Sequence, residues 1–102
     1  MLHIEKKESK NTVCFSISGV LDISTSDYFS EIVLQKVPLN EIVLDLSNLT
    51  FIDSTGIGVI LELIYQVKER SASLQIIGMN KEIEEIFETI GVSRIMEALQ
   101  RG

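Results

Sequence analysis

The chain has 102 residues, 45% of them apolar and 24% charged, with a formal net charge of −6. That size and balance fit one globular domain over residues 1–102 and exclude general disorder. The acidic balance, with no basic run longer than Lys6-Lys7, argues against nucleic acid, and a single cysteine, Cys14, excludes an internal disulfide or a thiolate zinc cluster.

In chain order, Leu2-His3-Ile4-Glu5-Lys6 reads as a weak strand and Ser9-Lys10-Asn11-Thr12 as a turn. Val13 to Ser18 then alternates, with Val13, Phe15 and Ile17 inward and Cys14, Ser16 and Ser18 on a less buried side. A β-hairpin at the start is expected. Gly19-Val20-Leu21-Asp22 leaves the strand, and Ser24 with Asp27 three residues on resembles a capping box. The helix it would open carries Phe29, Ile32, Val33 and Val37 at a 3.6-residue period, and Pro38 punctuates the loop that follows.

Glu41-Ile42-Val43-Leu44-Asp45-Leu46 is nearly continuous apolar sequence, which predicts a strand covered on both sides. A short loop then leads into Asp53-Ser54-Thr55-Gly56 and a helix from about Ser54 to Arg70. Its main stripe is Ile57, Ile60, Leu61, Ile64 and Val67, widened by Val59 and Leu63, with Lys68 and Arg70 at the negative end of the helix dipole. Ser73 to Gly78 reads as another strand. Asn80 is the expected N-cap of a helix with Glu82 and Glu84 in its first turn, Ile83, Ile86, Phe87 and Ile90 as its stripe, and Gly91 as its stop. A short closing helix is expected over 93–100.

The order β-β-α-β-α-β-α-α predicts an α/β domain: a small mixed sheet, antiparallel at its N-terminal hairpin and parallel thereafter, with helices mainly on one face. The charged start, Met1 to Lys10, has no apolar core of a leader, and Ile57 to Val67 is too short and too interrupted to span a bilayer. A cytoplasmic protein that enters no membrane is expected.

Catalytic constellations are missing. His3 is the only histidine and nothing in the sequence ties it to Ser54, so no Ser-His-Asp triad can be built. There is no Gly-x-Ser-x-Gly elbow, no Walker A lysine, and no third glycine after Gly56-Ile57-Gly58 to complete a dinucleotide fingerprint. The chain is expected to be no enzyme, with no cofactor and no metal.

What remains is a hydroxyl at a helix start, where backbone N–H groups are unpaired and the dipole favours anions. Ser54 there is either a plain N-cap or the acceptor of a phosphate. Thr55 adds a second hydroxyl, and Gly56 and Gly58 strip side chains from the opening turn at a cost to helix stability of about 1 kcal/mol each. A cap does not require that cost.

Gly19-Val20-Leu21-Asp22, Leu44-Asp45-Leu46 and Phe51-Ile52-Asp53-Ser54-Thr55-Gly56-Ile57-Gly58-Val59 resemble the anti-sigma factor antagonists (anti-anti-sigma factors) of the STAS-domain family, over about residues 3 to 95. In that family the first hydroxyl residue after the aspartate is phosphorylated by a serine kinase that is also the anti-sigma factor. The resemblance therefore implies Ser54 as acceptor, flanked by Asp53 and Thr55, with Asp22 near the same surface. It implies a bacterial partner-switching regulator of transcription. Its unphosphorylated form captures an ATP-binding kinase and frees a sigma factor, and a serine phosphatase restores it after modification. The partner surface is expected on Asp22, Ile23, Ser24 and Thr25, on Ser54 to Gly58, and around Met79 and Asn80. Relatives extend further beyond the position of Gly91, whereas Val92 to Gly102 supplies one short helix. Two alternatives stay open: a STAS adaptor in a stress-sensing or lipid-transport assembly, and weak nucleotide binding at the N–H groups of Gly56 and Gly58.

Overall fold

A computed structural model describes residues 1–34 and 41–91, with Ile90 as backbone only. Val37, Pro38 and the expected closing helix over 93–100 lie outside the described residues. The elements are β1 (Leu2–Ser9), β2 (Thr12–Leu21), α1 (Ser26–Phe29) running into a π-helical turn (Ser30–Leu34), β3 (Glu41–Ile52), α2 (Ser54–Glu69), β4 (Ser73–Ile77) and α3 (Lys81–Ile90). The sheet order is β1-β2-β3-β4. β1 and β2 form the antiparallel hairpin, while β2–β3 and β3–β4 pair in parallel. This is the mixed sheet that the element order predicts.

Phe15 and Ile17 of β2 are buried with Val13 packed against the core, and Cys14, Ser16 and Ser18 are half-buried, as the alternation requires. β3 departs from expectation in two ways. It buries one face, through Ile42, Leu44 and Leu46, while Val43 and Asp45 on the other face remain half-buried, so it is not covered on both sides. It also continues as strand through Ser47 to Ile52, in place of the expected loop. Two irregularities in its pairing with β2 explain why. Ser16 pairs with Asp45 but Ser18 with Asn48, and Gly19 pairs with Leu49 but Val20 with Phe51, so β3 gains one residue on β2 at each step. Each extra residue moves the inward phase by one, and the buried positions run Leu46, Leu49, Ile52 instead of every second residue.

α1 starts at Ser26 with Thr25 at its N-cap position. Ser24 is not the cap: its hydroxyl donates to Asp22 Oδ1 at 2.6 Å. The expected stripe survives because Phe29 and Val33 are buried, and the π-helical turn adds Leu34 to the same core. On α2 the buried residues are Gly56, Ile57, Ile60, Leu63, Ile64 and Val67. Leu63 thus belongs to the centre of the stripe and Leu61, half-buried, to its margin. α3 is capped as predicted, with Asn80 Oδ1 accepting from the Ile83 amide at 2.9 Å, and ends at Gly91 in the left-handed conformation. Ile83 and Phe87 join the common core, and Ile86 is exposed.

Candidate functional site

β2 and β3 are parallel neighbours and Leu21 pairs with Ile52, so both chains leave the sheet at the same end. In open α/β sheets this carboxyl end is where loops gather into sites. The two segments that follow are Asp22 to Thr25 and Asp53 to Gly58. Topology alone therefore brings together two of the three groups of residues singled out in the sequence.

Hydrogen bonds then lock them. Asp53 has extended backbone and caps α2, its Oδ1 accepting from the Gly56 amide at 2.8 Å. Its other oxygen, Oδ2, accepts from the Ile23 amide at 3.2 Å. The Asp53 amide donates in turn to Leu21 O at 3.3 Å. The turn after β2 is tied internally as well. Asp22 O accepts from the amides of Thr25 and Ser26, Asp22 Oδ1 accepts from the Ser24 amide at 2.9 Å, and Thr25 Oγ1 donates to Val20 O at 2.9 Å. The Ser24 hydroxyl, foremost among these contacts, holds the Asp22 carboxyl below its ordinary value of 3.8 against a smaller opposing desolvation.

The capping question is answered by this geometry. Asp53, not Ser54, is the N-cap, and Ser54 is the first residue of α2. Ser54 is exposed, and its hydroxyl has no hydrogen-bond partner among the described residues. The amides of Ser54 and Thr55 lie in the first turn, where no preceding carbonyl can reach them. An anion built on the Ser54 oxygen would meet these donors and the positive end of the α2 dipole.

The two glycines differ. Gly56 is buried, and a Cβ there would stand 2.3 Å from Leu21 O and 2.8 Å from Ile52 Cγ1. It is a packing requirement where α2 crosses the β2 and β3 ends, not an opening for a ligand. Its amide is already taken by Asp53, which removes one of the two donors that a nucleotide would need. Gly58 does face open space, with nothing within 4 Å of the place a Cβ would take.

Met79 and Asn80 occupy a different level of the sheet. β4 pairs only as far as Ile77 with Asp45, and β3 runs on to Ile52. Asn80 Nδ2 accordingly donates to Leu49 O at 3.4 Å, and Met79 is half-buried against the core. These two residues are set back along β3 from the Asp22–Asp53 pair. Two apolar side chains stand out at the site. Ile23 is 75% exposed and Phe51 53%. Spacing does not mark Phe51 as a surface residue, because the bulge that turns it outward depends on pairing with β2.

His3 is exposed on β1 and pairs in register with Ser18, three residues before the end of β2. Among the described residues no three histidine, cysteine or acidic side chains gather as metal ligands, and no helix is long and apolar enough to cross a membrane.

Comparison with known proteins agrees with this architecture. A family model described as the STAS domain matches residues 3–101. An anti-sigma F factor antagonist from Paenibacillus polymyxa is 30% identical over 98 residues, covering 93% of this chain and 84% of its own length. Among solved structures, an anti-sigma factor antagonist from Mycobacterium paratuberculosis superposes with a TM-score of 0.77 at 15% identity, over 93% of this chain and 82% of that one. The Bacillus cell fate determinant SpoIIAA in its phosphorylated form gives 0.65 at 18% identity, over 90% and 86%. At those identities the solved structures speak for the fold.

Proposed function

This chain belongs to the STAS-domain family, among the anti-sigma factor antagonists, and on that premise we propose that it is a partner-switching regulator controlled by one phosphate on Ser54. The unphosphorylated form binds an anti-sigma factor that is also a serine kinase, and a sigma factor is freed. Phosphorylation ends that binding, and a serine phosphatase restores it. The chain acts by binding, without catalysis of its own, in the cytoplasm.

One observation carries this reading: the Ser54 hydroxyl stands exposed and, among the described residues, unpartnered, because Asp53 performs the capping that would otherwise occupy it. The physics of a switch follows. A phosphoserine adds about −1.5 to −2 charges and three acceptor oxygens. In the free chain, water and the open amides of the first turn accommodate it. In a packed interface the dianion must shed water beside the Asp53 carboxylate, at a cost of several kcal/mol. A penalty of about 3 kcal/mol weakens binding more than a hundredfold. No large change of shape is needed.

The test is intact mass after incubation with the anti-sigma F factor of Paenibacillus polymyxa and ATP. One phosphate on the wild type and none on Ser54→Ala supports the reading. An equal phosphate on the alanine variant moves the acceptor elsewhere, Thr55 first. Binding of ATP or GTP without any protein partner would favour the nucleotide reading, which Gly56 already weakens by burying its backbone and engaging its amide.

A further inference from the structure

Ile23 is the most exposed large apolar side chain of the described residues after the N-terminal methionine. Such a side chain on a loose loop would be unremarkable, but this one sits on a turn that is fixed on every side. Its amide donates to Asp53 Oδ2, its carbonyl accepts from Ser26 Oγ at 3.4 Å, and the neighbouring Asp22 amide donates to Thr25 Oγ1 at 3.0 Å. The side chain is held out into solvent by a backbone that has little freedom left to lose. Pre-organised apolar groups are the ones from which binding gains most, since the ordering cost has already been met in the free protein.

The charged side chains nearest it in sequence and in hydrogen bonding are acidic. Asp22 and Asp27 flank the turn in sequence and Asp53 is hydrogen-bonded to it, and between Asn11 and Val67 the chain has a single basic residue, Lys36, against seven acidic ones. A surface that meets this face must offer positive charge around an apolar hollow.

We propose that Ile23 is the apolar anchor of this face, inserting into a hydrophobic pocket on a protein partner whose rim carries lysine or arginine, and that Asp53 is its positioning residue. The proposal rests on the reading above that this end of the sheet binds a protein. It adds which side chain holds the partner and what chemistry receives it. Asp53 then has two duties: Oδ1 starts α2 and presents Ser54, while Oδ2 sets the turn that presents Ile23. The modified residue and the anchor are coupled through one carboxylate.

The experiment measures binding to the anti-sigma F factor of Paenibacillus polymyxa by calorimetry, with the full chain, alongside phosphate uptake by mass. Ile23→Ala should unfold at the same denaturant concentration as the wild type, because the side chain is exposed, yet bind about tenfold or more weakly. Wild-type binding should also weaken as salt rises. Asp53→Asn keeps an oxygen for Gly56 and loses the acceptor for Ile23. It should speed hydrogen exchange at the Ile23 amide and lower affinity, and adding Ile23→Ala to it should cost less than in the wild type. Wild-type affinity in Ile23→Ala, or binding indifferent to salt, overturns the anchor while leaving phosphorylation at Ser54 untouched. Absence of phosphate on Ser54 with an Ile23-dependent complex overturns the switch and leaves the anchor standing.

Discussion

The amide of Ile23 donates to Oδ2 of Asp53 across thirty residues of sequence, at 3.2 Å. This bond closes the end of the sheet, because the same carboxylate caps α2 through Gly56. Two loops that emerge from neighbouring parallel strands are thereby tied together, and the exposed Ser54 follows directly on the residue that joins them.

Removing that carboxylate should be felt as stability as well as binding. Asp53→Ala loses the cap and frees the Ile23 turn, and should destabilise the fold by about 1–2 kcal/mol. Asp53→Asn should cost less, since its amide oxygen can still accept from Gly56. Urea unfolding monitored by circular dichroism compares the two, and a larger loss in the asparagine variant would contradict the assignment of bonds.

The two glycines of α2 should respond in opposite directions. Alanine is the better helix former by about 1 kcal/mol. At Gly58, where a methyl meets open space, Gly58→Ala should raise the melting temperature. At Gly56 the new methyl would press on Leu21 O and Ile52, neither able to withdraw cheaply, so Gly56→Ala should lower it despite the gain in propensity. Thermal melts of the pair decide the matter.

Asp22 gives a prediction in pH. Its folded-state pKa is lowered below 3.8, chiefly by the Ser24 hydroxyl. A depressed carboxyl stabilises the fold above its unfolded value, and that contribution is lost as pH falls through the folded value. The contribution is fully present at neutral pH, and its loss is confined to the acid side of pH 3.8. Ser24→Ala should move the Asp22 titration upward, followed by carboxyl chemical shifts in NMR. An unmoved titration would show that Ser24 does not govern it.

Much of this is legible in the sequence, and for identifiable reasons. The hairpin follows from strict alternation at Val13 to Ser18, and α3 from an asparagine cap, a clean stripe and a left-handed glycine at Gly91. These are local rules acting on adjacent residues. The end of β3 is not legible, because two bulges rephase Leu49 and Ile52 against β2, and pairing with another strand cannot be read from one strand's own pattern. The capping role expected of Ser24 is not filled by a side chain, and of the two readings left open for Ser54 the cap falls to Asp53, for a similar reason. Ser24 turns back to Asp22, and Asp53 is placed by β3 to cap α2 while reaching across to Ile23. The burial of Gly56 likewise depends on Leu21, far away in the chain. Composition and spacing find the residues, and the tertiary fold assigns their duties.

The most direct test of the account is the affinity of the anti-sigma F factor of Paenibacillus polymyxa for this chain before and after a single phosphate is placed on Ser54. A loss of about a hundredfold or more is predicted. Equal affinity for the two forms would contradict it.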